Sequence, residues 1–99
     1  MIKVEVTKKR ISVLGHANFD DYGKDIVCAS VSSIVICSVE AISKFDINAV
    51  DIKEEDNRLD IIINKSDDIT NKLIDNMIAC LHEIEKKYPK NIKITNKEE

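Results

Sequence analysis

Three observations predict an α+β fold in which two helices pack on one face of a mostly antiparallel sheet. Apolar periodicity switches between two and about 3.6 along the chain, so strands and helices alternate in the order β-β-α-β-β-α-β. Each long helical stretch is preceded by a pair of strand-like runs, the pattern of an α+β layer pair. The chain has 99 residues, 43% hydrophobic and 33% charged, which suits one globular domain over 1–99 with one modest core.

The elements follow in order. Met1 to Thr7 alternates Ile2, Val4 and Val6 with polar residues and reads as a half-buried strand. Lys8 and Lys9 form a turn, and Arg10 to Leu14 completes a hairpin. Gly15 to Gly23 breaks the pattern and reads as a loop holding both glycines of the chain. Lys24 to Lys44 is a helix whose Ile26 to Val39 stretch is apolar or small nearly all round, so it is buried on most sides. One sheet cannot cover it all in a chain this short, and a homodimer supplies the second cover. Ile47 to Ile52 and Leu59 to Ile63 form a second hairpin around the polar Lys53 to Arg58 turn. Ser66 caps a second helix with the stripe Ile69, Leu73, Met77, Leu81, Ile84 and Tyr88, stopped by Pro89. Ile92 and Ile94 mark a last strand.

Composition narrows the function. Lys+Arg is 15 against Asp+Glu 18, a formal charge of −3, which argues against direct nucleic-acid binding and leaves a basic protein or peptide as partner. Three cysteines, Cys28, Cys37 and Cys80, make no closed disulfide framework and no CxxC metal site, and thiols suit a cytoplasmic location. The N-terminus lacks an apolar signal core, and the uncharged run Ile26 to Val39 is too short to span a membrane.

The chemistry gathers in Gly15 to Ser32, GHANFDDYGKDIVCASVS. His16 stands where a strand enters the loop, and Cys28 stands in the first turn of the predicted helix. Unpaired N–H groups and the dipole at a helix start favour a thiolate, and an imidazole nearby takes the thiol proton. N–H groups at the same helix end can hold an oxyanion. A cysteine or histidine taken singly is more often structural; their coincidence with glycines and aromatics in one segment points to a nucleophile and its base.

These residues also resemble a known family. Gly15-His16-Ala17, an acidic and aromatic loop, and then GKDIVCASVS are similar to the ribosomal-processing cysteine protease family, Prp. The resemblance extends to chain length and element order. It implies that His16 and Cys28 are catalytic and that the chain is a homodimer. It further implies a substrate: the N-terminal extension of the basic large-subunit ribosomal protein L-twenty-seven, removed during ribosome assembly. Such a mechanism calls for no metal or cofactor.

Other residues carry two readings each. Asp25 orients His16 or caps the helix. Ser32, one turn after Cys28, supports the site or permits close helix packing. Phe19 and Tyr22 line a substrate pocket or close the loop on the core, and Asp20 and Asp21 attract a basic substrate or solvate the loop. Cys37 reads as core, and His82 as exposed. Two competing functions remain: a non-catalytic dimeric ribosome-associated assembly factor with Cys28 merely buried, and a thiol redox sensor, which lacks a nearby resolving cysteine.

Overall fold

The computed structural model describes residues 1–15 and 22–97. The elements are β1 (Ile2–Val6), β2 (Arg10–Leu14), α1 (Tyr22–Phe45), β3 (Val50–Glu55), β4 (Arg58–Ile63), α2 (Asp68–Lys87) and β5 (Ile92–Asn96), in the predicted order. The five strands pair as β3-β4-β2-β1-β5. Three pairings are antiparallel, but β1 and β5 run parallel, so the sheet is mixed. The cause is connectivity. A helix between two strands returns the second in the direction of the first. Thus β2-α1-β3 crosses over β4, and β4-α2-β5 crosses over β2 and β1, setting β5 parallel to β1.

The core lies between the helices and one sheet face. Ile2, Val4, Ile11, Val13 and Ile61 supply the sheet side. Val27, Val31, Val35, Val39 and Ile42 form the buried line of α1 at helical spacing. Each such side chain contributes about 1.5–3 kcal/mol on burial. Many of these residues are β-branched and would suit a strand, yet the run is too long and too evenly apolar at helical spacing for one. The stretch Ile26–Phe45 has the length and apolar composition to cross a membrane, longer than the Ile26 to Val39 run suggests. Its valine line packs on the sheet instead, as the core helix of this fold.

Several local expectations shift. Cys37 is exposed, not core, because it sits two residues beyond Val35, about 200° round the helix from the buried line. In α2 the buried residues are Thr70, Ile74, Met77 and Leu81, while Ile69 is exposed. The cap of α2 is Asp67, whose carboxylate accepts from the Thr70 N–H at 2.8 Å, one residue later than expected. β3 starts and ends three residues late, and Lys53, Glu54 and Glu55 belong to it. The turn shrinks to Asp56 and Asn57, made tight by Asn57 in the left-handed region at φ 59°. Charges along this strand fit its place at the sheet edge, where they discourage pairing with another chain.

The opposite sheet face is polar. Asp60 accepts hydrogen bonds from Ser12 and from Arg58 Nε. Burial pushes the Asp60 carboxyl up, but these donors outweigh it and hold the group below its ordinary range.

Candidate active site

The site is assembled from the ends of three elements. β2 stops at Leu14, and Gly15 turns the chain away at φ 76°, where a side chain would be strained. A Cβ on Gly15 would also stand 2.8 Å from the Met1 carbonyl oxygen. The Gly15 N–H donates to the Asn57 carbonyl at 2.9 Å, tying the residue before His16 to the β3-β4 turn. The chain therefore leaves the sheet at a fixed point.

Cys28 is half-buried on the flank of α1 that faces β4 and β3. It lines a cleft of about 90 Å³ with Val13, Val31, Ser32, Val35, Ile36, Glu54 and Leu59. Strand register explains the floor. Glu54 pairs with Leu59, and Leu59 with Val13, so the three form a row across β3, β4 and β2 on the helix-facing side. Cys28, Ser32, Val35 and Ile36 descend from α1 as the facing wall, at spacings that place them on adjoining helical faces. A thiol in such a cleft is reachable by a peptide while one side remains apolar.

One mechanistic expectation changes. α1 begins at Tyr22, so Cys28 lies in its second turn. A residue there donates its N–H within the helix, and the unpaired N–H groups belong to the first turn. The dipole also fades beyond that turn. The helix start therefore stands further from Cys28 than its sequence position suggested. Asp25 is inside the first turn rather than before it, so it is not the N-cap residue.

The structure thus brings Cys28 and Ser32 to one cleft. His16, Phe19, Asp20 and Asp21 lie outside the described residues, and for Tyr22 and Asp25 the backbone alone is described. Tyr22 and Gly23 begin the helix rather than ending the loop. Sequence reasoning missed Glu54, Val13, Leu59 and Ile36 as cleft residues. The signal for Glu54 is period two, since Val50, Ile52 and Glu54 share the helix-facing side of β3, but the expected strand, Ile47 to Ile52, ends before it. His82 is exposed and its Nδ1 stands 3.0 Å from Glu85 Oε1, on α2 away from the cleft. No disulfide joins the three cysteines.

Comparison with known proteins gives a consistent result. A profile of the family described as Cysteine protease Prp matches residues 1–93. The Ribosomal processing cysteine protease Prp of Staphylococcus aureus (strain Mu50) is 35% identical over 86 residues, covering 84% of this chain and 81% of the relative. That of Bacillus subtilis (strain 168) is 34% identical over 89 residues, covering 82% and 79%. The crystal structure of the S. aureus protease in complex with a substrate peptide superposes with a TM-score of 0.89 at 29% identity, covering 98% of this chain and all of that one. Its complex with a covalently linked product peptide gives 0.85 at 30% identity, with 98% of this chain covered. A half-buried thiol in a cleft, on a fold shared over nearly its whole length and matched by the family profile, places this chain in the Prp family of cysteine proteases.

Proposed function

We propose that this protein removes the N-terminal extension of the large-subunit ribosomal protein L-twenty-seven in the cytoplasm, with Cys28 as nucleophile and His16 as acid and base. The observation that carries the reading is Cys28 lining the cleft bounded by Val13, Leu59, Ser32 and Glu54. The S. aureus relative, crystallised with a substrate peptide and with a covalently linked product peptide, supports a peptide substrate held through a covalent bond.

The steps follow from the residue types. His16 takes the Cys28 thiol proton, and the thiolate attacks the scissile carbonyl carbon. The C–N bond breaks as His16 returns that proton to the leaving amine, releasing the shortened protein. The extension stays on Cys28 as a thioester. Water, deprotonated by His16, attacks the thioester; the C–S bond breaks and the thiolate recovers its proton. Gly15, anchored to Asn57, sets the point from which His16 departs. Ser32 supports the cleft wall.

A homodimer belongs to the same proposal. On the outer face of α1, Ile26 is 56% and Ile36 55% exposed, beside Ala29 and Cys37, and Ile52 at the sheet edge is 44% exposed. Such a contiguous apolar face on a small domain suits a second copy.

Incubation with the unprocessed ribosomal protein, followed by intact mass, tests the function. A defined N-terminal loss that vanishes with Cys28→Ala is expected. An unchanged substrate mass with the wild-type protein would remove the proposal.

A further inference from the structure

We infer that the corner where β1, β5 and the end of α2 meet is a docking surface for the phosphate backbone of RNA. The choice of RNA among polyanions rests on the reading that the substrate is a ribosomal protein. A net charge of −3 speaks against nucleic acid only for a uniform surface, and this surface is not uniform. From Lys86 to Lys97 the chain carries five of its 15 Lys and Arg residues and none of its 18 Asp and Glu residues. The fold adds Lys3, which stands directly across from Lys93 in the parallel β1-β5 pair. Ile2, Val4 and Ile92 are buried against the helices, so Lys3 and Lys93 project together from the opposite sheet face. The Ile2 N–H donates to the Asn91 carbonyl at 2.8 Å, which holds the Tyr88 to Asn91 turn, with Lys90 in it, against the start of β1. Lys86 and Lys87 end α2 just before that turn.

Like charges directly opposite each other in a sheet destabilise it. Lys3, Lys86, Lys87, Lys90 and Lys93 are all exposed, and among the described residues none of them forms an ion pair. Glu5, two along from Lys3 on the same face, is taken by Lys97 at 2.8 Å. Glu85 is taken by the Ile94 N–H and His82. Two ordinary explanations cover part of the cluster. Lys86 and Lys87 suit the helix dipole, and Lys93 blunts an edge strand. Neither accounts for Lys3, which lies on an inner strand and faces Lys93. A polyanion relieves that repulsion, whereas a basic substrate would add to it. The lysines spread over three elements, which fits repeated phosphates better than one small anion. Among the described residues, Met1 is the one large exposed apolar side chain at this corner, too little to anchor in a membrane.

Fluorescence anisotropy with a short fluorescein-labelled single-stranded RNA tests the surface. The wild type is compared with a triple variant, Lys3→Gln with Lys90→Gln and Lys93→Gln. The control is Lys8→Gln with Lys9→Gln and Lys44→Gln, which removes the same charge at the far end of the molecule. Five lysines on phosphates predict that wild-type affinity falls about 100-fold between about 50 and 200 mM salt. The corner variant should bind more weakly and fall by less than about ten-fold over the same range, while the control keeps the wild-type slope. The corner variant should also unfold at or above the wild-type temperature, because the Lys3–Lys93 repulsion is gone; a lower temperature would show that the pair serves the fold and would overturn the inference. No RNA binding by the wild type, or equal losses in both variants, would overturn it as well. So would patch-dependent binding to phosphatidylserine vesicles with RNA left unbound, which would assign the corner to a membrane. Processing of the unprocessed ribosomal protein without RNA is followed in parallel and should be equal in wild type and corner variant. A wild type that binds RNA but leaves that protein uncut would remove the protease reading and leave the RNA surface standing.

Discussion

Gly15 is the residue on which the approach to the site depends. Its φ of 76° and the Met1 carbonyl 2.8 Å from where a Cβ would stand leave no room for a substituent without movement. Gly15→Ala should cost about 1–3 kcal/mol in backbone strain. It should also lower kcat/KM, because His16 follows directly. Urea unfolding together with peptide cleavage checks both; an alanine variant with wild-type stability and activity would show that this turn does not position the histidine. The cysteines show what a residue type reveals and what it hides. Cys28 was legible as the nucleophile candidate from its neighbours in sequence. Its depth in α1 was not, because helix starts within a polar loop have no sharp apolar signal, and the helix begins two residues earlier than composition suggests. Cys37 was misread for a related reason: a helix apolar nearly all round does not declare which face is covered.

At the scale of elements, both sheet edges are protected, by different means. β3 carries Lys53, Glu54 and Glu55. β5 is tied to α2 by Glu85, whose Oε2 accepts the Ile94 N–H at 2.8 Å while Oε1 lies 3.0 Å from His82 Nδ1. The Ile94 N–H, opposed by burial and helped by His82, holds the Glu85 carboxyl below its ordinary range. A carboxyl depressed in the folded state stabilises the fold above its unfolded pKa, and that contribution disappears as pH falls through the folded value. Glu85→Ala should therefore destabilise the protein by about 1–2 kcal/mol at neutral pH, from a lost charged hydrogen bond, and by less in acid. Thermal unfolding across an acid-to-neutral series measures it; an equal loss at every pH would mean that the ion contributes nothing beyond packing. The order of elements was legible because periodicity survives in each run. The late start of β3 was not, because Lys53, Glu54 and Glu55 read as turn residues wherever an edge strand uses charge in place of an apolar face. The parallel placement of β5 depends on which edge the crossover reaches, and that is a property of the whole sheet.

At the scale of the whole molecule, one sheet face and two helices leave the outer side of α1 apolar and uncovered. Ser33 lies in the middle of that side, one turn from Ala29, Ile36 and Cys37, and is exposed. Ser33→Arg should turn a dimer into a monomer by placing a charge in an apolar contact. Sedimentation equilibrium should give twice the 11.2 kDa chain mass for the wild type and the chain mass for the variant. A monomeric wild type would contradict the dimer.

The central claim is that Cys28 becomes covalently joined to the extension during turnover. Rapid acid quenching of wild-type protein mixed with unprocessed ribosomal protein, then peptide mapping by mass, tests it most directly. The account predicts a transient adduct of the extension, as an acyl group, on the peptide containing Cys28, and its loss in Cys28→Ala. An adduct on the peptides containing Cys37 or Cys80, or processing that continues in Cys28→Ala, would contradict it.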